Sequence, residues 1–314
     1  MKMISKIVKV VLICLLTLVI LVGLFFGYHD KSVETLKDKY APAPSAFVDI
    51  EGMKVHYRDE GDPLDSLPLV LIHGTGSSLH TFDAWTSALK SQKRIVRMDL
   101  PAFGLTGPFP NRDYSIDHYA TFIEAFLTSQ GINRCILAGN SLGGQIAWQF
   151  TLQYPNRVEK LVLIDAAGYP LNSISKPIAF VLAQKKGWNK LMTFITPRFL
   201  AQKSVESVYA DKTKITETLV DRYFDLTLRT GNRQAFVDRM TSVYDTSQLP
   251  LIRTIQQRTL VLWGEQDELI PLSSATRFHA DLPNDTLVIL PHVGHVPMEE
   301  SPKESLAALL AFLK

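Results

Sequence analysis

Short, continuous apolar runs recur along this chain between residues 69 and 290, and they constrain its fold more than any other feature. The runs are separated by segments with helical periodicity. Continuous apolar runs of this length are typical of parallel strands that are buried on both faces of a sheet. The pattern therefore predicts an α/β fold with a mostly parallel sheet. The predicted parallel strands are 69–72, 95–99, 135–139, 161–165, 259–263 and 286–290.

The interval between residues 165 and 259 breaks this alternation, because it contains no clear buried strand and is rich in helix-like, aromatic segments. We predict that residues 169–249 form an inserted helical cap. The α/β core then comprises residues 47–168 and 250–314, and it begins with a hairpin. Residues 29–46 are polar and end in Ala-Pro-Ala-Pro, a pattern that predicts a semi-rigid linker.

The N-terminus is strongly apolar from residue 10 to residue 27, and three lysines precede this run. The run is close to the roughly 20 residues that a helix needs to cross a membrane. A cleaved signal peptide is the alternative, but Phe26 and Tyr28 stand where small residues would mark the cleavage site. The sequence predicts an uncleaved transmembrane signal anchor at residues 1–28. Its short basic end predicts that the main domain lies outside the cytoplasm, in the periplasm of a Gram-negative cell.

Charge and cysteine content exclude several classes of partner. The net charge is +2 with neutral histidines, which is too small to indicate a nucleic-acid partner. The two cysteines, Cys14 and Cys135, have no metal-ligand spacing and form no disulfide framework. Cys135 lies in a predicted strand and is expected to act as a small buried hydrophobe. The candidate catalytic residues, and not the charge, lead us to expect a small-molecule acyl substrate, and the oligomeric state stays open.

The pentapeptide Gly-Asn-Ser-Leu-Gly at residues 139–143 is the strongest candidate for a reactive centre. It matches the pattern G-x-S-x-G and has the required apolar strand before it and helical segment after it. The serine must then lie on a tight strand-to-helix turn, where side chains at Gly139 and Gly143 would clash. We predict that Ser141 is a nucleophile. The alternative is a glycine-rich turn in which the serine only caps the helix.

A serine hydroxyl becomes a good nucleophile when a neighbouring imidazole takes its proton. His295 lies in a loop directly after the last apolar strand, and we predict that it is this base. His292 in the same loop is the alternative. Other histidines, among them His56 and His80, are assigned to surface or local structural roles.

The imidazole needs a carboxylate that fixes its tautomer and stabilises its charged form. Asp267 follows the strand at 259–263, and we predict that it is this acid. Asp165 also ends a strand and is the alternative. The resulting order along the chain is Ser141, Asp267 and His295.

Acyl transfer through a serine also needs backbone N–H groups that stabilise the developing oxyanion. We predict that Leu142, just after the nucleophile, and Thr75, after the strand at 69–72, donate these hydrogen bonds. A plain turn residue is the alternative role of Thr75. His73, Gly74, Gly139 and Gly143 are predicted to support the two turns.

Taken together, these motifs resemble the α/β-hydrolase family, and they extend over nearly all of residues 47–314. The resemblance implies an eight-stranded, mostly parallel sheet with a helical cap. One departure is Ala102, where relatives usually have glycine. The serine nucleophile distinguishes the chain from the branches that use aspartate. The matching segments are His73-Gly74, Asp99-Leu100-Pro101-Ala102-Phe103-Gly104, Gly139-Asn140-Ser141-Leu142-Gly143-Gly144, Gly264-Glu265-Gln266-Asp267 and Gly294-His295-Val296-Pro297.

The resulting expectation is a serine hydrolase of the carboxylesterase type, which cleaves an ester or related acyl bond through an acyl-serine intermediate. The aromatic cap favours an apolar substrate. This chemistry requires no metal and no organic cofactor. Hydrolysis of a carbon–carbon bond in ring-cleavage products is the alternative, because the Gly-Asn-Ser form is similar to that of such enzymes. A non-catalytic binding protein on the same fold is a further alternative.

Overall fold

The computed structural model describes residues 2–170, 173–243 and 245–314. Within these residues, eight strands form a single sheet in the order β1-β2-β4-β3-β5-β6-β7-β8. Strands β3 to β8 run parallel to one another, while the first two strands form the antiparallel edge. The strands are β1 (Ala46–Ile50), β2 (Met53–Glu60), β3 (Leu69–Ile72), β4 (Ile95–Met98), β5 (Cys135–Asn140), β6 (Val158–Ile164), β7 (Arg258–Gly264) and β8 (Asp285–Leu290).

Helices connect the strands and cover both faces of the sheet. They are α1 (Lys2–Phe26), α2 (Val33–Tyr40), α3 (Asp83–Leu89), α4 (Ile116–Ser129), α5 (Leu142–Gln153), α6 (Ile178–Gln184), α7 (Trp188–Met192), α8 (Arg198–Glu206), α9 (Glu217–Thr227), α10 (Asn232–Thr241), α11 (Leu272–Asp281), α12 (Pro297–Glu300) and α13 (Pro302–Leu313). Short 3-10 helices occur at Leu79–Phe82, Pro155–Arg157, Lys212–Lys214 and Leu249–Thr254.

The central strands are buried because their alternate side chains pack into two different hydrophobic clusters. In β3, Val70 and Ile72 pack into the cluster that contains residues of α4, α5 and α11. Leu69 and Leu71 point the other way, into the cluster that contains residues of α3, α12 and α13. Successive side chains of a strand face opposite sides of the sheet. The continuous apolar runs of the sequence therefore reflect burial on both faces, and the predicted α/β fold with a mostly parallel eight-stranded sheet is confirmed.

The chain between β6 and β7 contains the helices α6 to α10, which lie in residues 169–249; we call this range the cap segment. Short loops precede several of these helices, and proline or glycine stands at the N-cap of α6, α7, α8 and α10. These residues disfavour continuation of the preceding helix, so the segment divides into short helices.

The prediction of a transmembrane anchor at residues 1–28 is wrong. The N-terminal run does form α1, but no helix in the described part of the chain is both long enough and apolar enough to cross a membrane. The helix begins at Lys2 and ends at Phe26, and its first turns contain Lys2, Lys6 and Lys9. The membrane partner and the membrane-anchored, extracytoplasmic location, which depended on this anchor, are corrected with it.

Residues 29–46, where the sequence predicted a linker, contain α2 and contact the cap segment. Lys31 pairs with the backbone on both sides of Arg229. The carboxylate of Asp225 accepts hydrogen bonds from Lys31 at 2.7 Å and from the Tyr40 hydroxyl at 2.6 Å. Although burial acts to raise it, the pKa of Asp225 is lowered by these partners and by Lys39. The N-terminal segment thus lies against α9 and the loop that follows it.

Burial on both faces predicts unequal costs for two matched truncations in the sheet. Ile136 of β5 is 4% exposed, whereas Ile289 of the edge strand β8 is 41% exposed. We expect Ile136→Ala to lower the free energy of unfolding by about 2–5 kcal/mol, because it leaves a cavity in the core. Ile289→Ala should cost about 1 kcal/mol or less. Urea denaturation of both variants measures the difference, and equal losses would show that β5 is not packed as described.

Candidate active site

The carboxyl ends of the parallel strands bring the predicted site residues to one edge of the sheet. Ser141 follows β5, Asp267 follows β7 by three residues, and His295 lies in the loop after β8. Thr75 lies in the loop after β3. This placement follows from the parallel arrangement, since ligand and catalytic residues of open α/β sheets gather at that edge.

Ser141 occupies a strained turn between β5 and α5. Its backbone has φ 56° and ψ −116°, a conformation that costs a non-glycine residue about 1–3 kcal/mol. Backbone hydrogen bonds hold it there, from the Ser141 amide to the Ile164 carbonyl and from the Ala167 amide to the Ser141 carbonyl, each at 3.0 Å. The strained turn is thus tied to the end of the neighbouring strand β6.

The predicted supporting glycines lie where a side chain has no room. A Cβ on Gly139 would lie 2.1 Å from the Gly143 carbonyl oxygen, and one on Gly143 would lie 2.3 Å from the Ile72 carbonyl oxygen. A Cβ on Gly74 would approach the Ser141 Cβ to 3.0 Å. The loop after β3 and the serine turn are therefore in direct contact.

His295 and Asp267 form a buried hydrogen-bonded pair. The Nδ1 atom of His295 lies 2.7 Å from Oδ2 of Asp267. The other carboxylate oxygen, Oδ1, accepts backbone hydrogen bonds from Leu269 and Ile270, both at 2.9 Å. An acceptor-only carboxylate at this position holds the proton on Nδ1 and leaves Nε2 as the basic nitrogen. His295 lines a cavity that Ser141 also lines.

His292, the alternative base, is exposed, and Asp165, the alternative acid, has a raised pKa. His292 is exposed, and its Nδ1 atom lies 3.4 Å from the side-chain amide of Gln266. Asp165 is fully buried, and its Oδ1 atom accepts a hydrogen bond from the Gly264 amide at 2.9 Å. Burial and the nearby carboxylate of Asp267 raise the pKa of Asp165 well above its ordinary value. A carboxyl that keeps its proton cannot stabilise an imidazolium as an anion does.

Asp165, Asp267 and His295 also form the one cluster of possible metal ligands found among the described residues, with ligand atoms within 4.8 Å of one another. In this cluster the Nδ1 atom of His295 already shares a proton with Asp267. A metal ion between them would take the place of that proton and would remove the hydrogen bond that orients the imidazole. The arrangement therefore suits proton transfer better than metal binding.

The two residues predicted to donate to an oxyanion lie beside the nucleophile. Leu142 is the first residue of α5, so its backbone N–H belongs to the free end of a helix, where positive partial charge accumulates. Thr75 lines the same cavity as Ser141. Their placement is consistent with an oxyanion site formed by the two backbone amides, which stays a prediction.

His73 fixes the loop that carries Thr75. Its Nδ1 atom donates to the Gly74 carbonyl at 2.8 Å, and its Nε2 atom accepts from the Leu100 amide at 2.9 Å. Burial lowers the pKa of His73, so the ring stays neutral and keeps this tautomer. Both nitrogens are occupied, and the ring therefore connects the loop after β3 to the loop after β4.

Two residues of the site were missed by sequence reasoning. The amide of Asn140 donates to the carbonyl of Ile164 at 3.1 Å and to the carbonyl of His295 at 3.0 Å, so it joins the serine turn to the histidine loop. The buried carboxylate of Glu300 accepts from the amides of Gly294 at 2.8 Å and Asp211 at 2.7 Å. Asn140 could have been found from its place in the pentapeptide, whereas nothing local in the sequence marks Glu300.

The cap segment forms the other wall of the cavity. Most of the side chains that it contributes are apolar, among them Phe180, Met192, Leu200, Leu226 and Phe236. The segment is also attached to the histidine loop, because the His295 amide donates to the Val208 carbonyl at 2.8 Å. The cavity is therefore apolar toward the cap and polar toward the sheet.

Comparison with known proteins places this geometry among related chains. The model of a family described as alpha/beta hydrolase fold matches residues 68–302. The uncharacterized hydrolase YugF of Bacillus subtilis is 27% identical over 87% of this chain and 99% of its own length. A 2-hydroxy-6-oxononadienedioate/2-hydroxy-6-oxononatrienedioate hydrolase of Paraburkholderia phymatum is 29% identical over 86% of this chain and 96% of its own. Among solved structures, a membrane phospholipase A, described as a bacterial virulence factor, has a TM-score of 0.72 at 25% identity and covers 99% of this chain and 97% of its own.

The two buried aspartates predict different kinetic effects of the same substitution. Asp267→Asn should lower the rate of reaction at Ser141 by about 10³–10⁴-fold, because an amide favours the wrong tautomer of His295. Asp165→Asn should change it by less than about tenfold, because an amide replaces a neutral carboxyl of the same shape. The rate at which a fluorophosphonate modifies Ser141 measures both effects. A greater loss in Asp165→Asn than in Asp267→Asn would reverse the assignment of the acid.

The raised pKa of Asp165 also predicts a pH-dependent stability difference. Above an ordinary aspartate pKa of about 4, the unfolded chain releases this proton while the folded chain keeps it. The contribution of Asp165 to stability is therefore complete below pH 4 and is lost as the pH rises through the folded-state pKa. Asparagine does not titrate, so the melting temperature of Asp165→Asn relative to wild type should increase between pH 4.5 and pH 7.5. A difference that is constant over this range would contradict a raised pKa.

Proposed function

The chain belongs to the α/β-hydrolase family, and we propose that it is a serine hydrolase that cleaves an ester or related acyl bond through an acyl-Ser141 intermediate. One observation carries the proposal. A serine on a strained turn and the imidazole of His295 line a single cavity, the buried carboxylate of Asp267 is hydrogen-bonded to that imidazole, and a helix N-terminus lies directly behind the serine. These are the groups that acyl transfer through a serine requires.

In the first step, the Ser141 hydroxyl attacks the carbonyl carbon of the substrate while Nε2 of His295 takes its proton. The hydrogen bond from Nδ1 to Asp267 keeps Nε2 unprotonated before the step and stabilises the imidazolium after it. The imidazolium then gives the proton to the leaving alcohol. In the second step, Nε2 of His295 takes a proton from a water molecule, which attacks the acyl carbon. The proton then returns to the oxygen of Ser141 as the acyl bond breaks and the acid is released.

The tetrahedral intermediates place negative charge on the former carbonyl oxygen. We propose that the amides of Leu142 and Thr75 bind this oxygen. Such fixed donors are worth about 2.7–4 kcal/mol each in transition-state stabilisation. His73 and the close contact at Gly74 contribute by holding the loop of Thr75 against the serine turn.

The cavity wall supports an apolar substrate. The cap segment supplies apolar side chains, while Asn140, Ser141 and His295 supply polar atoms at the sheet edge. An acyl chain that extends toward the cap would bury apolar surface, which is worth about 0.8 kcal/mol for each methylene. We accordingly propose that residues 169–249 act as the cap of an α/β core formed by residues 47–168 and 250–314.

One observation favours the second candidate, hydrolysis of a carbon–carbon bond in a ring-cleavage product. Arg233 of α10 lies on the cavity wall, where a guanidinium could bind a substrate carboxylate. The relative in Paraburkholderia phymatum carries such a function in its name. However, Nε and Nη2 of Arg233 already donate to Asp30, at 3.0 and 2.6 Å. Because this charge is compensated within the chain, ester hydrolysis is the better-supported function.

The proposal is tested by hydrolysis of p-nitrophenyl esters and by mapping a fluorophosphonate adduct. We expect kcat/KM to rise from the acetate to longer acyl chains, with the wild-type adduct on Ser141. Ser141→Ala and His295→Ala should lower turnover by about 10⁴-fold or more. A 2-hydroxy-6-oxo-dienoate, tested beside the esters, should be the poorer substrate.

Ser204→Ala is the matched control, because Ser204 also lines the cavity but donates its hydroxyl to the Leu200 carbonyl. It should keep most of the activity. A folded wild-type protein that hydrolyses no ester and forms no adduct on Ser141 would exclude the proposed function. Faster turnover of the dienoate would move the second candidate to first place.

A further inference from the structure

A second hydrogen-bonded serine–histidine–aspartate triad, formed by Ser45, His56 and Asp99, lies outside the cavity. Nδ1 of His56 is 2.7 Å from Oδ2 of Asp99, and Nε2 of His56 is 2.9 Å from the Ser45 hydroxyl oxygen. Ser45 directly precedes β1, His56 lies in β2, and Asp99 directly follows β4. None of the three lines the cavity that contains Ser141.

The His56–Asp99 pair of this second triad is similar to the His295–Asp267 pair in burial, in distance and in backbone hydrogen bonds. His56 and Asp99 are at most 1% exposed, as His295 and Asp267 are at most 4% exposed. The histidine–aspartate distance is 2.7 Å in both pairs. Each carboxylate also accepts two backbone hydrogen bonds, which for Asp99 come from Leu79 and Leu105 at 2.8 Å.

These contacts place the unprotonated nitrogen of His56 next to the Ser45 hydroxyl. The two oxygens of Asp99 face only donors, namely the Leu79 and Leu105 amides and Nδ1 of His56. An ionised Asp99 keeps the proton of His56 on Nδ1, and Nε2 then accepts the hydrogen bond from the Ser45 hydroxyl. The base is therefore set to take the proton of this serine.

A cation further activates the Ser45 oxygen. Nε of Arg58 donates to it at 2.8 Å, while the nearest carboxylate contact of this guanidinium, to Asp83, is 3.7 Å away. A charged donor stabilises negative charge on the oxygen as its proton leaves. Ser45 thus has a base on one side and a charged donor on the other.

The three side chains of the second triad differ in their exposure to solvent. Ser45 is half-buried and follows the exposed residues 42–44, whereas His56 and Asp99 are enclosed. Phe47, which packs beside the His56 ring with centroids 5.1 Å apart, is 38% exposed. The hydroxyl therefore lies between the enclosed imidazole–carboxylate pair and the exposed residues 42–44, where a small reagent can approach it.

We propose that Ser45 is a second nucleophilic serine, which small activated acyl or phosphonyl compounds modify covalently. The bond from the Ser45 oxygen to the carbonyl carbon or phosphorus forms as the bond to the leaving group breaks. The serine proton passes to Nε2 of His56 and then to the leaving group. Ser45 precedes a strand and not a helix, so it has no helix N-terminus to stabilise an oxyanion. The adduct consequently forms more slowly than on Ser141 and accumulates without turnover.

The test is to treat full-length Ser141→Ala with diisopropyl fluorophosphate and to locate the adduct by peptide mass spectrometry. We expect one adduct, on Ser45, that is absent from Ser141→Ala/Ser45→Ala. Ser32→Ala in the same background is the matched control, because the hydroxyl of Ser32 contacts Thr35 and no imidazole. This control should keep the adduct.

Two further measurements separate reactivity from a purely structural role. His56→Gln should lower the rate of adduct formation on Ser45 by about 100-fold, since a general base typically contributes 10²–10⁴-fold. In the wild type, the same reagent should give adducts on both Ser141 and Ser45, a result that does not depend on the folding of any variant. An unmodified Ser45 in the folded wild-type protein, after complete reaction of Ser141, would overturn the proposal. The reaction at Ser45 is independent of the proposed function of Ser141.

Discussion

The positive φ of Ser141 is the constraint on which the rest of the site depends. A non-glycine residue keeps this conformation only where its surroundings over-determine it. Here the determinants are the backbone bonds to the end of β6 and the close approach of β3 to the serine turn. Both exist only because β3, β5 and β6 are adjacent and parallel in the sheet. The buried hydrophobic faces of these strands are therefore what stabilises the strained turn.

Three buried acids near the imidazole of His295, namely Asp267, Glu300 and Asp165, differ in the hydrogen-bond donors around them. Asp267 accepts hydrogen bonds from Nδ1–H of the imidazole and from two backbone N–H groups, and Glu300 accepts hydrogen bonds from two other backbone N–H groups. One oxygen of Asp165 accepts a hydrogen bond from the Gly264 amide, and the pKa of Asp165 is raised by burial and by Asp267. Asp267 and Glu300 thus have the hydrogen-bond donors that a buried carboxylate needs, whereas Asp165 has fewer.

Contacts between the cap segment and the two ends of the chain give the cavity a defined wall. Residues 30–40 bind the cap through Asp225 and Arg233, and the histidine loop binds it through Val208. The same cap helices supply the apolar lining of the cavity. The cavity wall formed by the cap segment is consequently attached to His295 through Val208, although Val208 and His295 are far apart in sequence.

Local sequence patterns determined the sheet and the candidate residues. Mostly apolar runs predicted all six parallel strands, because central strands that are buried on both faces have few polar positions. The glycines around Ser141 and the loops after the strands marked Ser141, Asp267 and His295. The same kind of reasoning was wrong for residues 1–28, where an apolar run predicted a membrane span that no helix in the described part of the chain provides.

Only the tertiary structure decided between Asp165 and Asp267 as the partner of His295. Both end strands, and what separates them is the set of hydrogen-bond donors around each carboxyl, which comes from distant loops. The role of Glu300 and the hydrogen bonds that join Ser45, His56 and Asp99 were likewise not marked by any local sequence pattern. Burial, pKa and hydrogen bonding depend on neighbours in space, and local patterns do not encode those neighbours.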